Sequence, residues 1–133
     1  MKLIVCLDER RGMAFNHRRQ SRDRVLTEDL VNTVGTSRLF IAPYSASLFE
    51  GQPVNLVVSE DPLKAAGDSD FCFLELSCPA SDESVSELIL YHWNRHYPSD
   101  TCFLLDTSAY SKLSSTDFEG YSHEKITKEV WKK

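Results

Sequence analysis

Residues 2–7 read KLIVCL, one lysine and then five apolar side chains, and the run stops at Asp8. A short continuous stretch dominated by strand formers predicts a buried strand. On its C-terminal side, DERRGMAFNHRRQSRD at 8–23 is polar, with Gly12 and Asn16 as breakers, and predicts a loop. From about Arg22 to Val34 the period changes. Leu26, Leu30 and Val34 recur at i, i+4 and i+8, with Val25 and Val31 widening the stripe, so this segment predicts a helix. Ser21 is read as its N-cap and Gly35 as its stop. RLFIA, ended by Pro43, predicts a second strand. VNLVV at 54–58, entered through Gly51 and Pro53, predicts a third.

Further along, EDPLKAA predicts a short helix closed by Gly67, and DFCFLEL at 70–76 a fourth strand. ESVSELILYHWNR fits a helix through Val85, Leu88, Ile89, His92 and Trp93, while LILYHW alone fits a buried strand. TCFLLD predicts a strand. In SHEKITKEVWKK, Ile126 and Val130 share a face under both periods, which leaves a short helix or an edge strand. This order predicts an α/β fold, one domain over 1–133, with a mixed central sheet, flanking helices and a partly antiparallel finish. The expected core is Leu3, Val5, Leu39, Ile41, Leu56, Val58, Phe73, Ile89 and Leu104.

Composition narrows the function classes. With 133 residues, 41% hydrophobic and 26% charged, the chain has the profile of an ordinary globular domain. Its net charge of −5, from 15 basic and 20 acidic residues, excludes a globally basic nucleic-acid glove but not a local basic patch. No apolar run approaches the roughly 18 residues of a membrane helix, and Leu3–Leu7 is too short for a signal-peptide core. Cys6, Cys72, Cys78 and Cys102 are scattered, three of them in apolar runs where a free thiol behaves as a small hydrophobe. That usage predicts reduced thiols in the cytoplasm. There is no C-x-x-C and no paired His/Cys spacing, and His92 and His96 find no third ligand in the sequence, so no metal site is expected.

In order, the segments resemble the dihydrofolate reductase fold family. LIVCLDERRGMAFN is similar to that family's first strand and mobile glycine-bearing loop. RLFIAPYSASLFEGQPVNLVVSE resembles its second strand, short helix, turn and third strand. ELILYHWNRHYPSDTCFLLD resembles the late strand leading to a D-T-x-F segment, and KLSSTDFEGYSHEKITKEV the closing hairpin. The resemblance implies a pocket acid, matched by Asp23 or Asp29, and a nicotinamide cofactor. The family's cofactor motifs are replaced, however. LELSCPAS stands where a Gly-Gly pair is expected after the strand at 70–76. Ala42-Pro43-Tyr44-Ser45 stands in place of Gly-Arg-x-Thr, and no Pro-Trp precedes the helix. The expectation is a retained fold without a cofactor. The alternative is an NADPH-dependent reductase of dihydrofolate reductase type with a modified cofactor loop.

The sharpest local feature is arginine. Arg10, Arg11, Arg18, Arg19, Arg22 and Arg24 fall within fifteen positions of an acidic chain, with Asn16 and His17 among them. The planar guanidinium binds phosphate bidentately, and the segment runs into a helix N-terminus. Arg10, Arg11, Asn16, His17, Arg18, Arg19 and Arg22 are therefore the expected ligand-binding residues, and a nucleotide or RNA the expected partner. A protein partner with an acidic face would use the same arginines. The plainer expectation is a solvated loop whose arginines pair with Asp8, Glu9 and Asp23. Asp23 and Asp29 are the candidate acid–base residues, against the ordinary preference of helix starts for acids. Tyr91, Trp93 and Tyr97 beside Arg95 read as core and rim aromatics rather than a base-stacking platform. Serine, histidine and aspartate are present, but no G-x-S-x-G elbow is.

Overall fold

A computed structural model describes all 133 residues. In chain order, β1 (Lys2–Leu7) leads into a hairpin, β2 (Gly12–Phe15) and β3 (Arg18–Arg19), then α1 (Arg24–Val34) and β4 (Arg38–Ile41). A 3-10 helix (Pro43–Phe49) precedes β5 (Asn55–Val58), the one-turn α2 (Pro62–Ala65) and β6 (Phe71–Phe73). The remainder is all strand: β7 (Glu87–His92), β8 (Thr101–Cys102), β9 (Ser111–Phe118) and β10 (Ile126–Lys132).

Seven strands form one sheet in the order β5-β4-β6-β1-β7-β10-β9, and β3-β2-β8 form a small second sheet. β1 lies near the middle, parallel to both β6 and β7, which is why its residues 3–7, LIVCL, are all apolar: both faces are covered. Alternation splits its side chains between two cores. Ile4 faces α1, joining Leu26, Leu30, Val31 and Val34 with Ile41, Phe73 and Ile89. Leu3, Val5 and Leu7 face the other way, where Met13, Phe103, Leu105 and Tyr110, rather than a long helix, cover the sheet.

Several expectations are corrected. The helix begins at Arg24, and its N-cap is Asp23, not Ser21: the Asp23 side chain accepts from the amides of Val25 and Leu26. Gly35 does stop it, with φ 60° and its amide bonded to Val31 O. The ambiguous LILYHW segment is strand, because β1 and β10 flank it on both sides. The tail is neither helix nor edge; β10 lies between β7 and β9. The polar stretch 8–23 is not all loop, since Asn16 and His17, at φ 53° and 59°, make a two-residue turn joining β2 and β3. TCFLLD contributes only two strand residues. Phe103 and Leu105 are buried, and Leu104 between them is 65% exposed. Val58, on the edge strand β5, is 52% exposed, and Leu56 is half-buried. Cys102 is exposed.

β1, β4, β6 and β7 are all parallel. Their carboxyl ends therefore open on one edge of the sheet, into the segments 8–23, 42–54, 74–86 and 93–100. Ligands of open α/β sheets bind at this edge. Every residue of the arginine segment is there.

Candidate functional site

Two buried carboxylates organise the edge. Asp8 Oδ1 accepts from the amides of Arg10 (2.8 Å) and Gly12 (2.7 Å), and its Oδ2 from Gln20 Nε2 (3.0 Å). Burial opposes its charge, but these bonds outweigh it and hold the carboxyl below its ordinary range. Asp23 is more heavily bonded. Besides its helix-capping role it accepts from the amides of Tyr121 (2.9 Å) and Ser122 (2.8 Å), and His123 Nδ1 lies 2.9 Å from Oδ2. Burial would raise this carboxyl, yet the Tyr121 amide, the His123 ring and the Ser122 and Leu26 amides together keep it far below the usual range. Gly120 lets the loop approach, for a Cβ there would sit 2.6 Å from Asp23 Oδ2 and 2.8 Å from Ile126 Cδ1. Gly120→Ala is expected to cost roughly 1–3 kcal/mol of stability through overpacking. A urea midpoint equal to that of the parent would mean that the loop gives way freely.

With both acids occupied, the arginines do not pair as the plainer expectation had it. Only Arg19 has an acidic partner: its Nε and Nη2 meet Glu75 Oε2 and Oε1 at 2.7 and 3.0 Å. Its guanidinium also lies 4.6 Å from the Tyr44 ring centre, and its amide donates to the Tyr44 hydroxyl. Ser45 Oγ donates to Glu75 Oε1 at 2.7 Å. This latch ties the hairpin to the two segments in which the cofactor motifs are replaced, those after β4 and β6.

The structure divides the remaining expected binding residues. Arg10 and Arg11 sit at the β1–β2 turn, exposed, with Arg11 over the Phe103 ring at 5.2 Å. At the other end of β2, Phe15, Asn16, Arg18, Gln20 and Tyr97 line an open hollow of about 360 Å³. His17 is exposed on the turn above it, and Arg22 borders a neighbouring crevice. Gln20 Oε1 is buried without a donor.

The two acid–base candidates separate as well. Asp23 lines the crevice, together with Cys6, Leu26, Phe49, Trp93 and the Arg19–Glu75 pair. Asp29 does not; it accepts from the Tyr91 hydroxyl (2.6 Å) and pairs with Lys128 (3.0 Å) on the sheet side of α1. The crevice is almost filled by side chains, leaving about 20 Å³ for the centre of a water molecule, room for roughly one. Beyond the latch runs a groove of about 470 Å³, whose walls carry Glu60, Asp61 and Glu75 and no lysine or arginine. That lining offers no cation to a pyrophosphate, and Glu75 within it is already paired with Arg19.

Sequence reasoning missed His123, which is buried beside Asp23 and stacked on Trp93 with ring centres 4.7 Å apart. The two residues lie 100 positions apart, and no local pattern announces the contact. His92 pairs with Glu129 on β10. No three His, Cys, Asp or Glu side chains converge in a metal-binding arrangement.

No protein-family profile matches the sequence, and no curated protein does either. Among solved structures, a dihydrofolate reductase from Enterococcus faecalis, complexed with NADP(H) and RAB-propyl, superposes with a TM-score of 0.69. The match covers 98% of this chain and 94% of that one at 11% identity. The chain therefore has a dihydrofolate reductase-like fold: mixed α/β, built on the parallel strands around β1 and closed by the antiparallel hairpin β9–β10.

Proposed function

We propose that this chain is a binding protein for a phosphate-bearing ligand, a nucleotide or an RNA segment, held at the carboxyl edge of the sheet. One observation carries the reading. Arg10, Arg11, Arg18, Arg22 and Arg24 make no ion pair, although the chain is acidic and two carboxylates in the same segment are buried within reach of its backbone. Exposed cationic side chains left without counter-charge favour an anion. The hollow beside Arg18 adds Phe15 and Tyr97 as stacking faces for a planar ring. The four free cysteines support placing the protein in a reducing compartment, the cytoplasm. No helix is long and apolar enough to cross a membrane.

The test is a thermal-shift titration with ATP, a short RNA and, as control, an acidic peptide. The Arg18→Ala/Arg22→Ala variant is expected to weaken nucleotide or RNA binding about tenfold or more per lost contact. It should also reduce the salt slope by roughly 0.7–0.9 per lost phosphate contact. Stability should change by under about 1 kcal/mol, since both side chains are exposed. Equal binding of the acidic peptide would transfer the site to a protein partner, and no shift at millimolar nucleotide or RNA would remove the proposal.

The second reading is an NADPH-dependent reductase of dihydrofolate reductase type. It is favoured by the NADP(H) bound to the solved neighbour and by Asp23 lining the crevice. An NADPH arm of the same titration decides it. A ligand at 100 times its dissociation constant stabilises by about 2.7 kcal/mol, and the acidic groove predicts no such shift.

A further inference from the structure

From Asp23, the hydrogen bonds of His123 continue outward. An ionised carboxylate only accepts, so the 2.9 Å contact places the imidazole proton on Nδ1 and leaves Nε2 as an acceptor. Two hydroxyls meet that nitrogen, Tyr97 at 2.9 Å and Ser21 Oγ at 3.2 Å, and they lie 3.4 Å from each other. The His123 side chain is 2% exposed and that of Asp23 fully buried, so the base is held in one orientation between its acid and Trp93. Ser21 is only partly buried and lines the crevice. Nucleophile, base and orienting acid thus stand in hydrogen-bond sequence, the geometry by which acyl-transfer triads are recognised on unrelated folds.

We infer that Ser21, His123 and Asp23 form a nucleophilic triad that hydrolyses small carboxylic esters. Ser21 Oγ attacks the acyl carbon as its proton passes to His123 Nε2. The ester C–O bond breaks, and the departing alkoxide takes that proton. Water then adds to the acyl-serine, giving its proton to Nε2, and the carboxylic acid leaves as the proton returns to Ser21 Oγ. Asp23 keeps the ring in the required tautomer throughout. The backbone amides of Arg22 and Asp23, which donate to no acceptor in the chain, supply N–H groups next to the nucleophile for the developing oxyanion. The crevice sets the acyl size. With Leu26, Phe49 and Trp93 on its walls and room for roughly one water molecule, it admits only the smallest acyl groups.

The site stands apart from the anion-binding reading, since it uses none of the arginine side chains. The test treats the unmutated protein with a fluorophosphonate and maps the adduct by mass spectrometry, with p-nitrophenyl acetate hydrolysis measured alongside. Labelling at Ser21 is expected, together with a hydrolysis rate that falls at least 100-fold in Ser21→Ala. An adduct on another residue, no adduct, or a rate unchanged in a folded Ser21→Ala protein would overturn the inference. The mapping on the parent chain decides the matter even if a variant fails to fold.

Discussion

Asp23→Ala is expected to lower the unfolding free energy by about 4 kcal/mol, among the largest losses any single substitution here should produce. The carboxylate accepts from the amides of Val25, Leu26, Tyr121 and Ser122 and faces the His123 ring, all in a site closed to solvent. Alanine would leave those donors without an acceptor, and each unmade buried bond is costly. Urea denaturation would check the value, and a loss below about 1 kcal/mol would show that the loop finds other acceptors. The same bonds predict an acid limit. Because folding depresses the Asp23 and Asp8 carboxyls, their contribution is complete above the ordinary carboxylate range and is lost as protons bind on going below it. The urea midpoint should therefore begin to fall between about pH 5 and pH 4 and keep falling below that. A midpoint flat down to pH 3 would contradict these bonds.

The second large effect belongs to the latch. The Arg19 side chain is 18% exposed and that of Glu75 7%, so removing either strands the other away from water. Arg19→Met and Glu75→Met should each cost roughly 3 kcal/mol, near the lower end for buried pairs because Arg19 keeps some solvent. The double variant should recover to within about 1–2 kcal/mol of the parent, the remainder reflecting the hydroxyl of Ser45, which would lose its acceptor. A double-mutant cycle in urea measures the coupling. Additive losses would mean that the two side chains act independently.

Much of this architecture was legible in one dimension, where local pattern and environment coincide. KLIVCL, RLFIA and FCF are apolar because parallel neighbours and two layers of side chains cover them, and periodicity alone finds α1. The last hairpin was less legible. β9 is almost wholly exposed and reads SKLSSTDF, a sequence with no buried face to set its period. LILYHW was ambiguous because a strand buried on both sides loses the alternation that marks a strand. At the site, the arginine segment was plain from composition. Its division into a turn pair and a hairpin group depended on the positive-φ turn at Asn16–His17, and its one ion pair on Glu75, over fifty residues away. The Asp23–His123–Ser21 chain could not be read at all, since its members come from the start of α1 and the far hairpin.

The position of β1 in the sheet has a kinetic consequence. β1 takes its two partners from later in the chain, β6 and β7, and the latter ends at His92. At about 5–20 residues per second, KLIVCL waits on the order of several seconds with its backbone unpaired and its apolar side chains in water. Such non-local pairing slows folding and exposes a sticky edge during synthesis. The nascent chain is at greatest risk of misassociation before β7 emerges, so chaperone dependence should lie in that interval rather than in the finished fold.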